Sequence, residues 1–333
     1  MKNILFCGLG SAGQRHLRIL KKKFSNSKFY CIRNTKRNIF ISDNLQTKKV
    51  KSLIKYYNLN EISYEDLDQV KFEFAVIANP INKHLETALR LAKKKINLFI
   101  EKPISNNLKK IKILKKIIKE NNIKLFVGYQ LRYHPGIKIL KKIIEKKELG
   151  ELVSGFFKFG EYLPLMHKYE DYKNTHMAKK IEGGGPILCL SHEIDLVRYL
   201  VGNPKKIYSF TGKGSHLKTD VEDYLSSILI FNKFKSVFLN VNFLTNPPKN
   251  EIEINFQNGT VYWDYFSKYI QIKYNSGKLK KMFYINFTRN DMFEEQWNEY
   301  IKILSKKNKS KNTIICNFED SIETLNLCLK FAK

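Results

Sequence analysis

The chain is short of acid. Against 60 lysines and arginines it has 31 aspartates and glutamates, a formal charge of +29 over 333 residues. Such an excess suits a nucleic-acid binder only where it gathers into a stripe. Only eight of the 60 basic residues are arginine, and the lysines run diffusely along stretches such as 109–119 and 138–147. The excess therefore reads as solvated lysine faces, which steer anionic ligands, and no nucleic-acid partner is expected. Cysteine is also sparse. Cys7, Cys31, Cys189, Cys316 and Cys328 are odd in number and without C-x-x-C spacing, so neither a disulfide framework nor a zinc site is indicated and no metal is expected. No apolar run reaches the roughly 18 residues a membrane span needs. Residues 1–7 lack the length and cleavage site of a signal peptide. The expectation is a cytoplasmic protein with no membrane partner.

What is present is a core-forming chain with 43% hydrophobic residues, long enough for about two domains. The first third alternates short apolar strands, at 3–7, 28–33, 73–78, 97–101 and 124–128, with amphipathic helical stretches at 84–95 and 108–121. That alternation predicts an α/β fold, a doubly wound parallel Rossmann sheet. After a helix at 135–147, alternating segments at 152–160, 206–212, 224–231 and 237–244 take over. Asn258-Gly259 and Asn275-Ser276-Gly277 mark hairpins. The second half is thus expected to be an α+β domain with one large, mostly antiparallel sheet, closing in helices at 292–305 and 318–331. The predicted division is 1–123 for dinucleotide binding and 124–333 for substrate binding and oligomerisation. Phe243, Tyr262 and Phe266 are expected on an open sheet face, which predicts a homodimer or homotetramer.

The strongest local signal is Gly8-Leu9-Gly10-Ser11-Ala12-Gly13, directly after the run Ile4-Leu5-Phe6-Cys7. A strand entering G-x-G-x-x-G and leaving as a helix lets backbone N–H groups reach a pyrophosphate at the helix N-terminus. Where NAD-selective sites place an acid after the second strand, this chain has Arg33, then Asn34, Thr35, Lys36 and Arg37, a cationic setting suited to a 2′-phosphate. NADP is the preferred cofactor and NAD the alternative, and Arg33→Asp should favour NAD. Glu101-Lys102-Pro103 ends a later strand at the carboxyl edge where open sheets bind ligands. In so lysine-rich a chain a solvated strand end would ordinarily be the reading of Lys102, but its position, with Pro103 holding it extended so that the ammonium projects into the crevice, reverses that. A single helix at 187–201, opened by Pro186 and closed by Gly202-Asn203-Pro204, would carry His192 and Asp195 on one face. A histidine there can exchange a proton with a substrate hydroxyl, or form a structural pair with the aspartate.

The glycine turn, Ala78-Asn79-Pro80 with His84, Glu101-Lys102-Pro103, the run from Gly128 through Pro135, and Gly183-Gly184-Gly185 through Ser191-His192-Glu193-Ile194-Asp195 together resemble the glucose-fructose oxidoreductase / inositol dehydrogenase (Gfo/Idh/MocA) family, over nearly the whole chain. The segments 160–164, 169–172 and 289–293 look like a branch associated with bacterial surface-polysaccharide and nonulosonic-acid sugars. The resemblance implies a nicotinamide-dependent oxidoreductase acting on a sugar, sugar acid or nucleotide-activated sugar. In it Lys102 hydrogen-bonds the reacting oxygen, His192 moves its proton, and Asp195 binds substrate or orients His192. It further implies that Gly8, Gly10, Ser11, Ala12, Gly13, Arg33, Asn79, Pro80, His84, Glu101 and Lys102 border the cofactor. Arg132, Tyr162, His167 and Cys189 join Lys102, His192 and Asp195 around the sugar. Cys189 stands where the family usually has aspartate, and a thiol supplies no fixed negative charge. A non-catalytic dinucleotide-binding regulator and a glycoside hydrolase using transient oxidation are the rival readings.

Overall fold

The structure is a computed structural model describing residues 2–232, 235–305 and 314–331. It resolves into two compact units, Met1–Gly128 with Phe293–Leu325, and Tyr129–Met292 with Asn326–Lys333. The expected boundary at 123/124 differs from this in two ways. Leu125–Val127 pairs in parallel with Asn97–Ile100 and so belongs to the first sheet. Residues 293–325 cluster with the first unit although they follow the second in sequence.

In the first unit the parallel strands lie in the order Leu125–Val127, Asn97–Ile100, Phe74–Ile77, Asn3–Cys7, Lys28–Ile32, Asn60–Glu61, and Cys316–Asn317 adds an antiparallel edge. Strands Phe74–Ile77 and Asn3–Cys7 are buried almost throughout, as strands covered on both faces must be. The chain winds outward from Asn3–Cys7 to Asn60–Glu61 and returns to Phe74–Ile77 on the other side. The crevice between Asn3–Cys7 and Phe74–Ile77 is therefore the switch point where such sheets receive ligands.

The second unit is built on an eight-stranded sheet in the order Lys206–Gly212, Tyr224–Asn232, Lys235–Asn242, Leu152–Gly160, Lys249–Phe256, Gly259–Asp264, Tyr269–Tyr274, Leu279–Phe283. All pairings are antiparallel except Lys235–Asn242 with Leu152–Gly160. Both hairpin signals are realised, between Lys249–Phe256 and Gly259–Asp264 and between Tyr269–Tyr274 and Leu279–Phe283. One sheet face buries Leu225, Leu239, Ile254 and Trp263. The other leaves Phe156, Ile228 and Phe238 at least 40% exposed, and Phe156 stacks on Phe238 across the parallel pair with ring centroids 4.9 Å apart. Phe243 is not part of that open face. It is fully buried, Tyr262 is half-buried, and of the three residues expected there only Phe266 is largely exposed. Alternation accounts for this, because Phe243 shares the parity of the buried Val237, Leu239 and Val241 and continues their covered face one residue past the end of Lys235–Asn242.

Candidate active site

The glycine turn is shaped by close backbone approach. Gly8 has φ +101°, and a Cβ there would sit 2.6 Å from the Ala78 carbonyl oxygen and the Asn79 nitrogen. A Cβ on Gly13 would meet the Gly8 oxygen at 2.3 Å, whereas one on Gly10 would enter open space. Gly8 and Gly13 thus pack the turn against the strand end at Ala78, and Gly10 keeps its outer side clear. The helix Ser11–Lys23 starts at Gly10 with no side-chain cap and no acid in its first turn. Its first N–H groups have no intrahelical partner, and the positive end of its dipole is uncompensated, the arrangement that accepts a pyrophosphate. Buried Gln14 secures the turn: its amide nitrogen donates to the carbonyls of Leu9 (3.0 Å) and Ile39 (2.9 Å), and its oxygen accepts from the Ile41 N–H (2.9 Å). These features fit a bound dinucleotide.

Two neighbouring strand ends are tied together by His84, in helix Ile81–Lys93. Its ring nitrogens lie 2.8 Å from the carbonyl oxygens of Asn79 and of Pro103. Burial lowers the imidazole pKa, and the two carbonyls offset only part of that. Asn79 donates to Thr87 Oγ1 at 2.8 Å, and its buried Oδ1 makes no hydrogen bond among the described residues. Pro80 stands at the N-cap position of Ile81–Lys93, with no side-chain hydrogen bond to the helix.

Glu101 is the centre of a buried relay. The Trp297 indole N–H donates to His16 Nδ1 at 2.9 Å. An indole nitrogen can only donate, so Nδ1 is the acceptor and the His16 proton sits on Nε2, 2.6 Å from Glu101 Oε1. The other Glu101 oxygen accepts the backbone N–H of Lys102 at 3.2 Å. Burial would raise the Glu101 pKa, but the hydrogen bond from His16, with the charge of Lys102, outweighs it and holds the carboxyl below its ordinary range. Lys102 follows, half-buried, before a cis peptide to Pro103. Arg33, one residue past Lys28–Ile32, pairs with Glu61.

In the second unit the expected single helix at 187–201 is broken at Leu190 (φ −105°, ψ 32°) into Pro186–Cys189 and Ser191–Leu200. The break places His192 in the first turn of the second piece, where Gln130 Nε2 lies 3.2 Å from its Nε2. Asp195, on the next turn, is held from two points by Arg132: Nε to Oδ2 at 2.7 Å and Nη2 to Oδ1 at 2.5 Å, with side chains 3% and 1% exposed. The guanidinium also lies 4.9 Å from the Tyr199 ring centroid. Arg132 and Asp195 are therefore brought together as a buried pair. Buried Cys189 faces the Gly183 carbonyl, Sγ to oxygen 4.0 Å. Tyr162 is half-buried at the start of Leu163–Met166. His167 lies 3.6 Å from Glu170 and stacks on Tyr169. Beside them burial raises the Glu161 pKa, partly offset by the charges of His167 and Arg289. Sequence reasoning missed Gln14, His16, Trp297, Gln130 and Glu61. Apart from the Gln14 bond to Leu9, the partners of these residues are distant in sequence, 281 residues apart for His16 and Trp297, and no local pattern marks such pairs.

Residues 2–129 match the oxidoreductase family with an NAD-binding Rossmann fold, and residues 137–262 match the GFO/IDH/MocA C-terminal domain. The chain belongs to the Gfo/Idh/MocA oxidoreductase family. Among curated relatives it is 24% identical over 210 residues to scyllo-inositol 2-dehydrogenase (NAD(+)) of Bacillus subtilis, covering 62% of this chain and 55% of that protein. It is 27% identical over 219 residues to glucose-6-phosphate 3-dehydrogenase of the same organism, covering 59% and 61%. It is 24% identical over 270 residues to 2,7-anhydro-N-acetylneuraminate hydratase of Escherichia coli, covering 79% and 68%. The first two matches span little more than half of those relatives. The fold is shared with levoglucosan dehydrogenase in complex with NADH (TM-score 0.82, 15% identity, 99% and 96% covered). It is also shared with the WlbA dehydrogenase of Bordetella pertussis in complex with NADH and UDP-GlcNAcA (TM-score 0.78, 17% identity, 99% and 95% covered). Among the described residues no helix is long and apolar enough to cross a membrane, and no group of three or more His, Cys, Asp or Glu residues could hold a metal ion.

Proposed function

We propose that the protein transfers a hydride between a nicotinamide dinucleotide and a hydroxyl-bearing carbon of a sugar, sugar acid or nucleotide-activated sugar. The observation that carries this is the Gly8–Gly13 turn, with its uncapped helix start at the switch point of the first sheet, in a chain of this oxidoreductase family. When bound, the nicotinamide supplies or takes up the hydride. The turn holds the pyrophosphate, and Asn79, Pro80, His84 and Glu101 border the dinucleotide. Lys102 donates a hydrogen bond to the reacting oxygen, and His192 receives its proton. Arg132, Tyr162, His167, Cys189 and Asp195 belong to the sugar side, Asp195 and Arg132 as a pair. Arg33 beyond the second strand favours NADP(H). The open face bearing Phe156 and Phe238 favours a dimer, or a tetramer built from dimers, and a monomer mass by light scattering at micromolar concentration would contradict it.

The test is direct. Lys102→Ala and His192→Ala should each lower turnover about 100-fold or more, with cofactor affinity nearly unchanged. Full turnover in either variant would remove that residue from the chemistry. A second reading rests on the relative named as a hydratase: hydration involves no net redox change, so the dinucleotide would be recycled within each turnover. Substrate conversion without accumulation of oxidised or reduced dinucleotide would select it.

A further inference from the structure

The strands Lys28–Ile32 and Asn60–Glu61 run parallel, with Cys31 opposite Glu61, so the ends of both strands deliver charged side chains to the same sheet edge. There Arg33 Nε donates to Glu61 Oε1 at 3.0 Å and Nη2 to Oε2 at 3.2 Å, a two-point ion pair. Its halves differ in freedom. The Arg33 side chain is 7% exposed and the Glu61 side chain 37%. Arg33 Nη1 is buried and makes no hydrogen bond among the described residues. The guanidinium is fixed and retains an unused donor, while the carboxylate at the solvent side can swing away.

Edge residues after the second strand are the ones that meet the adenosine ribose in this fold. A 2′-phosphate brings about −1.5 to −2 charges and three strong acceptors. It would compete with the Glu61 carboxylate for the guanidinium, whereas a 2′-hydroxyl carries no charge with which to draw the guanidinium away. We propose that Glu61 is a cofactor-specificity residue acting through Arg33: by occupying the guanidinium it limits the preference for NADP(H) over NAD(H) that Arg33 creates. This rests on the reading of the first unit as a dinucleotide site.

Isothermal titration of the full chain with NADPH and with NADH tests it. Glu61→Gln keeps the side chain's shape and removes its charge. It should tighten NADPH binding about fivefold or more and change NADH binding less than about twofold. Glu61→Ala should shift the ratio in the same direction and serves if the glutamine variant folds poorly. Placed in an Arg33→Gln background, Glu61→Gln should lose its effect on NADPH. An unchanged NADPH-to-NADH ratio in both Glu61 variants overturns the proposal, as does an effect that survives without Arg33. A wild type that prefers NADH defeats the NADP(H) reading, while the ratio change still decides the role of Glu61. Binding of neither dinucleotide defeats both.

Discussion

The two units hold their candidate residues by different means. In the first, the residues lie within two positions of the ends of strands of one parallel sheet: Gly8 after Asn3–Cys7, Arg33 after Lys28–Ile32, Asn79 after Phe74–Ile77, Glu101 after Asn97–Ile100. Backbone geometry does most of the placing, and the side-chain relay from Trp297 refines it. In the second, the candidates are placed by pairs between the segment 130–134 and the helix Ser191–Leu200, namely Arg132 with Asp195 and Gln130 with His192. The lesson is that a ligand read mainly by N–H groups needs a chain path. A substrate side, by contrast, needs specific side chains held by other side chains.

The comparison breaks hardest at the buried ion pair. Arg132→Met should destabilise the protein by about 3–5 kcal/mol, because it strands the Asp195 carboxylate in a dry interior. Chemical denaturation would measure this. The double variant Arg132→Met with Asp195→Leu should recover much of the loss, and no recovery would argue against the pair as the cause.

The next effect is a pH dependence in the second unit. His134 Nδ1 accepts from the Trp263 indole and from the Gly136 N–H, both at 3.1 Å, and the ring sits among Tyr265, Tyr284 and Phe287. Burial, with the charges of Lys268 and Lys138, pushes its pKa down to about 3 from 6.5. The folded pKa lies below the unfolded one, so the unfolded chain takes up the proton first. The neutral ring's contribution is whole above about pH 6.5 and is lost as pH falls toward 3, at up to about 1.4 kcal/mol per pH unit. Denaturation at several pH values should show a shallower acid loss for His134→Asn than for the wild type. Equal slopes would count against this histidine.

Smaller effects sharpen the first unit. Trp297→Phe preserves the ring packing on Phe99 and Phe74 and removes one N–H. The cost expected is about 1–3 kcal/mol, from leaving His16 Nδ1 buried without its donor, with a fall in kcat larger than any change in cofactor KM as Glu101 loosens beneath Lys102. A thermal melt and steady-state rates together would show it. At Cys189 the thiol donates toward a carbonyl, so Cys189→Ser should stay within about 1 kcal/mol of wild type, whereas Cys189→Asp sets an acceptor against an acceptor and should lower kcat/KM. An unchanged or higher kcat/KM for the aspartate would make the cysteine dispensable.

The sequence by itself determined the strand–turn–helix at Gly8–Gly13, the doubly wound order, both hairpins and the broad second sheet. These depend on φ freedom, on apolar periodicity and on turn chemistry within a few residues, all of which are local. Tertiary structure alone decided the break at Leu190, the pairing of Asp195 with Arg132, the Glu61 partner of Arg33 and the return of Trp297 to His16. Each of these depends on which distant group fills the space or satisfies the charge. Burial makes that choice energetically decisive, and no spacing along the chain records it.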